Sequence, residues 1–247
     1  MLPSFTDILN ISRTGMQART KDMDIISNNI ANVNTTAYKQ VRGNFQELLE
    51  DKTQHVKGTI LSNTQRDMTQ GIVEESYSPY HLAIKGEGFF TLTLPDNSKA
   101  YTRDGLFQLD AQRKIVNANG YYLAWNGTIP DKAEAVQINE QGKVSVMVNN
   151  IWQDLGHIQL TRFTNPLGLI SIGDNAFTES EASGAPQTNN AGTNELGNIL
   201  SKMKESSNVS WGEQATQMMI TQRGFQLSSR SFQQADAMQA LAISLRR

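Results

Sequence analysis

Both ends of this chain carry apolar side chains at helical spacing, and this feature constrains its fold more than any other. Proline, which breaks helices, is absent from both stretches after Pro3. A helix of about 30 residues with a single apolar seam cannot bury that seam by itself and is marginally stable alone. The pattern therefore predicts two terminal helices that pack against each other or against other helices, with folding coupled to assembly.

The N-terminal stretch begins with a sequence typical of a helix start, because Ser4 is followed three residues later by Asp7. Residues at alternating steps of four and three then form a heptad seam, which Ser12 and Arg19 interrupt. The polar, turn-prone residues 34–36 predict the end of the helix. The seam consists of Phe5, Leu9, Ser12, Met16, Arg19, Met23, Ile26, Ile30 and Val33.

The C-terminal stretch has its own helix start at Ser210 and Glu213, and a large apolar residue then recurs every seven positions. The residues between them are mostly Gln, Ser and Thr, which suits either the lining of a channel or a solvated surface. We expect this helix to pair with the N-terminal one. The recurring residues are Trp211, Met218, Phe225 and Phe232, and Ala235, Met238, Ala242 and Leu245 extend the stripe.

The middle of the chain has short alternating or β-branched runs, separated by turn signals such as Asp104-Gly105 and Asn119-Gly120. This pattern predicts an all-β domain of hairpins. The predicted class is therefore α+β, in which N- and C-terminal coiled-coil-like helices flank a central all-β domain of hairpins. The predicted segments are an N-terminal helix and turn (1–40), an extended connector (41–70), the β domain (71–187), a linker (188–205) and the C-terminal helix (206–247).

Composition argues against several classes of function. Lys and Arg number 22 against 24 Asp and Glu, a net charge of -2, whereas a nucleic-acid-binding protein usually carries a basic excess or stripe. The chain has no cysteine, so disulfides, thiolate metal sites and cysteine nucleophiles are ruled out. Its three histidines do not fall at metal-ligand spacing. We expect no enzyme activity, no cofactor, no metal, no nucleic acid and no small-molecule substrate.

The sequence shows no signal for a membrane span or for a cleaved leader. No run approaches the roughly 18 apolar residues of a spanning helix. The first residues also lack the charged start and apolar run of a secretory signal. We therefore expect either a cytoplasmic protein or one exported by a route that needs no such signal.

Residues 27–39, SNNIANVNTTAYK, resemble the N-terminal signature of the flagellar rod and hook axial proteins, although Ala37 stands where the family usually has Gly. The run LAIKGEGFFTL and its continuation are similar to the start of the family's β domain, with Arg113 in a turn where Gly is frequent. The run ESSNVSWGEQATQMMITQRGF resembles the family's last helix, and LTRFTNPLGLISIGDNAFTESEASGAP is most like the distal rod subunit. Nearly the whole chain takes part, and residues 41–70 match least.

The resemblance implies a structural role in the bacterial flagellum. Such subunits pass the inner membrane through the flagellar type III export apparatus without a cleaved signal peptide. They assemble helically in the basal body into a hollow shaft that transmits torque from the motor to the hook. Their paired terminal helices line the inner tube, and the β domain forms the outer layer. Expected partners are copies of the chain, other rod and hook axial proteins, the export apparatus and ring proteins around the rod.

Together, the sequence pattern and the resemblance predict an assembly interface on the terminal helices. Amide side chains at the end of the first helix are able to bond free backbone groups there or groups of neighbouring subunits. The ring of Tyr38 is expected to be buried and to anchor the connector. The predicted interface residues are Phe5, Leu9, Met16, Met23, Ile26, Asn29, Ile30, Asn32, Val33, Asn34, Tyr38, Trp211, Met218, Arg223, Phe225, Phe232, Met238 and Leu245.

Three alternatives to a distal rod subunit stay open from the sequence. A proximal rod subunit or a short hook-like axial protein would share the same helices, and the run IGDNAFTESEASGAP favours the distal rod over them. A non-flagellar coiled-coil scaffold would form a closed oligomer rather than a growing tube. An enzyme would show substrate turnover.

A charge on the seam of the first helix is expected to block assembly. Replacing Ile26 by Asp places a carboxylate without a partner where an apolar contact is predicted, and burying such a group is unfavourable. Circular dichroism should show that the β domain stays folded, while sedimentation and electron microscopy should detect no polymer. Normal polymerisation of this variant would mean that the seam lies elsewhere.

Overall fold

The computed structural model describes residues 5–49 and 56–244, which divide into two compact units. Unit 1 comprises the described residues of Met1–Val33, Gln40–Asp67 and Val209–Arg247, and unit 2 comprises Asn34–Lys39 and Met68–Asn208. A helix lies near each end of the chain, and the described residues between the helices form strands. The α+β class is therefore confirmed.

The two helices of unit 1 are α1 (Phe5–Ala31) and α2 (Trp211–Ser244). Helix α2 begins at the predicted start, where the Ser210 hydroxyl accepts a long hydrogen bond of 3.5 Å from the Glu213 amide. Helix α1 ends two residues before Val33. There the Asn32 side-chain amide donates to the carbonyl of Asn28 at 2.9 Å and satisfies one of the free carbonyls of the last turn.

A β-hairpin occupies most of the segment that the sequence pattern predicts as an extended connector. Strands β1 (Val41–Leu49) and β2 (Val56–Arg66) pair antiparallel. At the open end of the hairpin, the Arg42 guanidinium lies 2.9 Å from the Asp67 carboxylate. The pattern alone did not indicate strands, because this segment has few apolar residues and the hairpin gains its packing from α1 in the folded unit.

Unit 2 is built of short antiparallel strands and one turn of 3-10 helix, Pro166–Gly168. The strands are β3 (Val73–Glu75), β4 (Leu82–Lys85), β5 (Phe89–Thr93), β6 (Lys99–Thr102), β7 (Gln108–Leu109), β8 (Ile115–Val116), β9 (Tyr122–Leu123), β10 (Ala135–Ile138), β11 (Lys143–Val148), β12 (Ile151–His157), β13 (Gln159–Arg162), β14 (Ile170–Gly173), β15 (Ala176–Thr178), β16 (Gln187–Asn190), β17 (Asn198–Ser201) and β18 (Met203–Glu205).

The described strands of unit 2 form one large sheet and three small ones. The large sheet runs in the order β14-β15-β6-β5-β9-β8-β7, and β13 joins it by pairing with β5 and β16. The small sheets are β10-β11-β12, β17-β4 and β18-β3. Pairings between strands far apart in the chain, such as β17 with β4, tie the end of the unit to its beginning.

Three turns of unit 2 share one construction, which explains where these strands reverse. A side-chain oxygen of Asp110, Asn117 or Asn139 accepts hydrogen bonds from the backbone amides two and four residues later, at 2.8–3.1 Å. The residue three positions after each of them is left-handed, with φ of 61° at Arg113, 81° at Gly120 and 79° at Gly142. Glycine is frequent at the position of Arg113 because this backbone conformation suits it best.

The core of unit 2 lies on both faces of strand β5. Consecutive side chains of a strand point to opposite faces, so Phe90 enters the main core while Phe89 enters a second, aromatic cluster. In the main core, the Phe90 and Phe107 rings meet edge to face at 5.3 Å. In the aromatic cluster, Tyr101 contacts Phe163 in the same way at 4.7 Å.

Residues 188–205, which the sequence pattern predicts as a linker, contribute three strands to unit 2. Strand β16 begins at Gln187 and pairs with β13, β17 pairs with β4, and β18 pairs with β3. Their polar composition hides this role, because only isolated side chains such as Ile199 are fully buried. The backbone hydrogen bonds of the partner strands, rather than an apolar pattern, place them in the sheets.

The ionisation of Tyr101 tests the packing of the aromatic cluster. Burial, helped by the nearby Glu179 carboxylate, raises the pKa of its phenol from 10.0 to about 12. The unfolded chain loses this proton near pH 10, so the stabilisation from Tyr101 is complete below that pH and is lost as the pH rises towards 12. Absorbance at 295 nm should show one tyrosine titrating near 12 that is missing in Tyr101→Phe. Loss of a tyrosine titrating near 10 instead would contradict the packing.

Candidate assembly interface

The terminal helices of unit 1 contact each other along a row of polar and small residues. The side chain of Asn29 donates to Gln214 Oε1 at 3.1 Å, and seven residues earlier Asp22 accepts from the Thr221 hydroxyl at 2.9 Å. Seven residues earlier again, a Cβ on Gly15 would lie 4.0 Å from Ser228 Cβ. Each step back along α1 is matched by a step forward along α2, so the helices are antiparallel. We call the row Gly15, Asp22, Asn29, Gln214, Thr221 and Ser228 the inner row.

Asn29 holds three segments of unit 1 together. Its side-chain amide donates to the backbone carbonyl of Val41 at 2.8 Å as well as to Gln214, and its oxygen accepts from the Val41 amide at 3.0 Å. The Asn29 and Gln214 residues are 1% and 3% exposed. Because a buried amide is costly unless its donors and acceptors are satisfied, these bonds select one arrangement of α1, α2 and the start of β1.

The hairpin lies against α1 through close backbone approaches. A Cβ added at Gly58 would fall 1.9 Å from the Thr14 hydroxyl oxygen, and one added at Gly43 would fall 2.9 Å from Ile25. Glycine at both positions lets the strands approach the helix. Between the hairpin and the two helices an open groove of about 460 Å³ remains, and its lining includes Ile11, Phe45, Thr59, Leu227 and Ser231.

The predicted interface residues of α1 lie mostly beside the inner row, and Asn32, Val33 and Asn34 follow the end of this helix. Ile26 and Asn29 are buried in unit 1, and Asn34 is exposed. Because Ile26 already belongs to the core of unit 1, a charge there is also expected to destabilise this unit. The side chain of Phe5 lies outside the described residues. The half-buried members are Leu9, Met16, Met23, Ile30, Asn32 and Val33.

On α2 the inner row also differs from the stripe of large apolar residues. Trp211, Met238 and Arg223 are exposed, and Leu245 lies outside the described residues. The buried residues of α2 are Gln214, Thr221 and Ala235, and of these the predicted stripe contains only Ala235. These three residues and Ser228 recur every seven positions. A search for large apolar residues does not find this row, because its side chains are polar or small. The half-buried members of the predicted stripe are Met218, Phe225 and Phe232.

A second set of apolar residues on α2 lies to one side of the inner row and is exposed. Ile220, Leu227, Met238 and Leu241 are 56%, 65%, 45% and 63% exposed. Their spacings of 7, 11 and 3 residues bring them to one side of a helix with 3.6 residues per turn. We call these four residues the outer apolar face.

The signature segment ends in unit 2 at a buried ion pair. The Lys39 ammonium lies 2.6 Å from Glu205 Oε1 and also donates to the carbonyl of Thr69 at 2.7 Å. The same Glu205 oxygen accepts from the Gly71 amide at 3.0 Å, and both charged side chains are at most 1% exposed. Two segments of the chain, at Lys39 and at residues 69–71, thus meet the segment of Glu205 here.

Arg103 completes this charged cluster. Its Nε lies 3.9 Å from Glu205 Oε2, and its Nη2 donates to the carbonyl of Gly86 at 2.8 Å. Burial lowers the pKa of the Arg103 guanidinium, and the charges of Glu205 and Glu87 oppose this effect. The cluster links parts of unit 2 to each other, and Arg103 Nη1 and Glu205 Oε2 are buried in it without a hydrogen-bond partner among the described residues.

The residues before Lys39 explain the rest of the signature. Tyr38 is buried, as predicted, with 8% exposure. Ala37 has a φ of 54°, and its amide donates to the Glu205 carbonyl at 2.8 Å. A left-handed backbone favours glycine, which accounts for the Gly that the family usually carries here.

Within the described ranges, no group of three or more histidine, cysteine or carboxylate side chains is arranged to hold a metal ion. His81, which burial and the charge of Lys204 give a lowered pKa, is hydrogen-bonded to Ser76 at 2.6 Å. His55 lies outside the described residues.

Neither described helix combines the length and the apolar character that spanning a membrane requires.

Three family descriptions match this chain in the order expected from its sequence. "Flagella basal body rod protein" matches residues 9–39, "Flagellar hook protein FlgE/F/G D1 domain" matches 83–146, and "Flagellar basal body rod FlgEFG protein C-terminal" matches 200–245. The first and third contain parts of the inner row, and the second lies in unit 2.

Full-length relatives agree with these matches. The chain is similar to the flagellar basal-body rod protein FlgG of Borreliella burgdorferi, with 34% identity over 95% of this chain and 96% of the relative. FlgG of Buchnera aphidicola subsp. Acyrthosiphon pisum is 36% identical over 96% and 97%. FlgG of Bacillus subtilis is 32% identical over 95% and 97%.

Breaking the buried ion pair is expected to destabilise unit 2 strongly. Lys39→Met leaves the Glu205 carboxylate buried without its ammonium partner, which costs about 3–5 kcal/mol. Urea denaturation followed by tryptophan fluorescence measures the change, and adding Glu205→Met to Lys39→Met should recover part of it.

Lys204→Met is the matched control, because Lys204 directly precedes Glu205 on β18. Its ammonium lies 3.5 Å from the Glu74 carboxylate, and both side chains of this pair are partly exposed. Such a surface pair contributes less than about 1 kcal/mol. A loss for Lys39→Met no larger than that for Lys204→Met would contradict the role given to the buried pair.

Proposed function

The chain belongs to the FlgG family of flagellar basal-body rod proteins and is a structural subunit of the flagellar rod, and we propose that it polymerises helically through its terminal helices. FlgG is the distal rod protein, and the relatives of that name align over nearly all of this chain. We therefore assign it to the distal rod rather than to the proximal rod or to a hook-like axial protein. The polymer would be the hollow shaft that transmits torque from the motor to the hook.

The observation that carries this proposal is the outer apolar face of α2. The inner row already pairs α2 with α1 inside unit 1, yet Ile220, Leu227, Met238 and Leu241 remain about half or more exposed. Burying a side chain of this kind contributes about 1.5–3 kcal/mol. Covering these four side chains with another subunit would therefore contribute a favourable free energy of association, which the single chain does not gain.

We propose that helices of neighbouring subunits pack on this face in a coiled-coil-like manner. The half-buried residues Met218, Phe225 and Phe232 lie on the other side of the inner row from the outer apolar face, where a second neighbouring helix would complete their burial. A neighbouring helix would likewise complete the burial of Met16, Met23 and the other half-buried members of the predicted seam on α1. The interface residues predicted from the sequence thus become proposed contacts between subunits.

The proposed partners follow from this role. They are copies of the chain and other rod and hook axial proteins, together with the flagellar export apparatus and ring proteins around the rod. We propose that the chain reaches the basal body by crossing the inner membrane through that apparatus without a cleaved signal peptide. A mechanical subunit of this kind needs no cofactor, nucleic acid or small-molecule substrate, and we propose that it has no enzymatic activity.

A charge on the outer apolar face should prevent rod assembly without unfolding the subunit. In Leu227→Asp the new carboxylate is solvated in the monomer, where Leu227 is 65% exposed, but would be buried in the polymer. A flagellated strain that lacks its own rod gene should regain swimming with the unaltered chain and not with this variant. Electron microscopy of isolated basal bodies should then show no distal rod.

Gln226→Asp is the control, because it adds the same charge at the neighbouring exposed position on a different side of α2. It should restore swimming. Thermal unfolding of both purified variants should change by no more than about 0.5 kcal/mol, as usual for surface substitutions. Normal rods built from Leu227→Asp would show that the outer apolar face is not an assembly surface.

A further inference from the structure

The inner row repeats itself along both helices. Its contacts recur at steps of seven residues, and on α2 the series continues as the buried Thr221, the half-buried Ser228 and the buried Ala235. If α2 moved back by seven residues, about 10.5 Å, Thr221 would face Asn29 and Ser228 would face Asp22. A hydroxyl would still be available to the Asp22 carboxylate, and the small Ala235 would face Gly15. Most of the inner row therefore fits two registers.

The cost of such a shift is concentrated at the start of α2. Trp211, Gly212 and Glu213 are exposed, and a Cβ at Gly212 would meet nothing within 4 Å. Unwinding this part of the helix loses little packing. The first residue of α2 whose burial would be lost is Gln214, which is 3% exposed.

We propose that the buried amide pair Asn29–Gln214 selects the register of α2 against α1. The other contacts of the inner row permit both registers, so these two positioning residues decide between them. The pair is the only place in the described inner row where two side-chain amides meet, at 3.1 Å. In the shifted register Gln214 leaves its site, and the Asn29 side-chain amide loses the oxygen that accepts its hydrogen bond. A single buried polar pair that fixes register is a known device where apolar contacts permit several.

The same pair also positions the hairpin. Both backbone groups of Val41 bond to the Asn29 side chain, at 2.8 and 3.0 Å. One side chain at the end of α1, that of Asn29, therefore positions both the first residue of β1 and the first turn of α2. The inference concerns the folded single chain and goes beyond the proposed function, because it holds whether or not the chain polymerises.

Disulfide trapping reads the register directly, since the chain has no cysteine of its own. The reporter Gly15→Cys with Ser228→Cys tests the observed register, because its Cβ atoms would lie 4.0 Å apart, within the 3.5–4.5 Å typical of disulfides. The reporter Gly15→Cys with Ala235→Cys tests the shifted register. It is out of reach in the observed one, where Ala235 lies about 10.5 Å further along α2.

The decisive variant exchanges the two residues, as Gln214→Thr with Thr221→Gln, and so moves the amide by one heptad without changing composition. With oxidised glutathione and dilute monomer, the unaltered background should cross-link the Ser228 reporter only. The exchange should raise the ratio of Ala235 to Ser228 cross-linking at least ten-fold. The matched control exchanges two exposed residues of α2, as Thr216→Gln with Gln222→Thr, and should leave the ratio unchanged.

Continued preference for the Ser228 reporter in the exchange variant would overturn the proposal. If circular dichroism shows that this variant does not fold, Gln214→Met takes its place, because it removes the amide and keeps the length of the side chain. The two reporters should then cross-link to comparable extents, and trapping of the Ser228 reporter alone would again overturn the proposal. Rod assembly enters neither readout, so failure of the assembly proposal leaves this test intact.

Discussion

The buried carboxylate of Glu205 is the point on which the architecture of unit 2 depends. Lys39, Thr69 and Gly71 all meet at or beside it, and the Ala37 amide bonds to its backbone carbonyl. These residues belong to three segments of the chain that adjoin residues of unit 1 in sequence. A buried charge that loses its partner is strongly destabilising, so the ion pair of Lys39 and Glu205 holds these segments in one arrangement.

In unit 1, a buried neutral amide joins separate segments of the chain, as the buried ion pair does in unit 2. The Asn29 side chain bonds α2 and the start of β1 together, and polar or small residues continue the contact between the helices. Specificity inside the unit thus comes from hydrogen bonds that tolerate few alternatives, whereas the large apolar side chains of α2 lie partly or wholly in solvent. This division suits a rod subunit, because contacts that define the single chain are separate from those available to its neighbours.

Much of the fold was predictable because local sequence signals were strong. The helix start at Ser210, the α+β class and the strand-rich middle followed from spacing and turn residues. The backbone at Ala37 and Arg113 has a positive φ, of 54° and 61°, which explains why Gly is usual at these two positions in the family. The hairpin at 41–66 and the strands within 188–205 were not predictable, because polar strands carry little periodic signal and depend on partners distant in the chain.

The sequence by itself determined the two terminal helices and the strand-rich middle of the chain, since apolar period, capping residues and turn residues act over a few neighbouring positions. It also determined the family, through motifs spread over nearly the whole chain. Only the tertiary structure decided which face of each helix is internal. Hydrophobicity pointed to Met16, Met23 and Phe225, whereas the inner row contains Asp22, Asn29 and Thr221. The reason is physical: a heptad pattern shows that a helix has faces, but the small size and the hydrogen bonds of two facing rows decide which faces can approach.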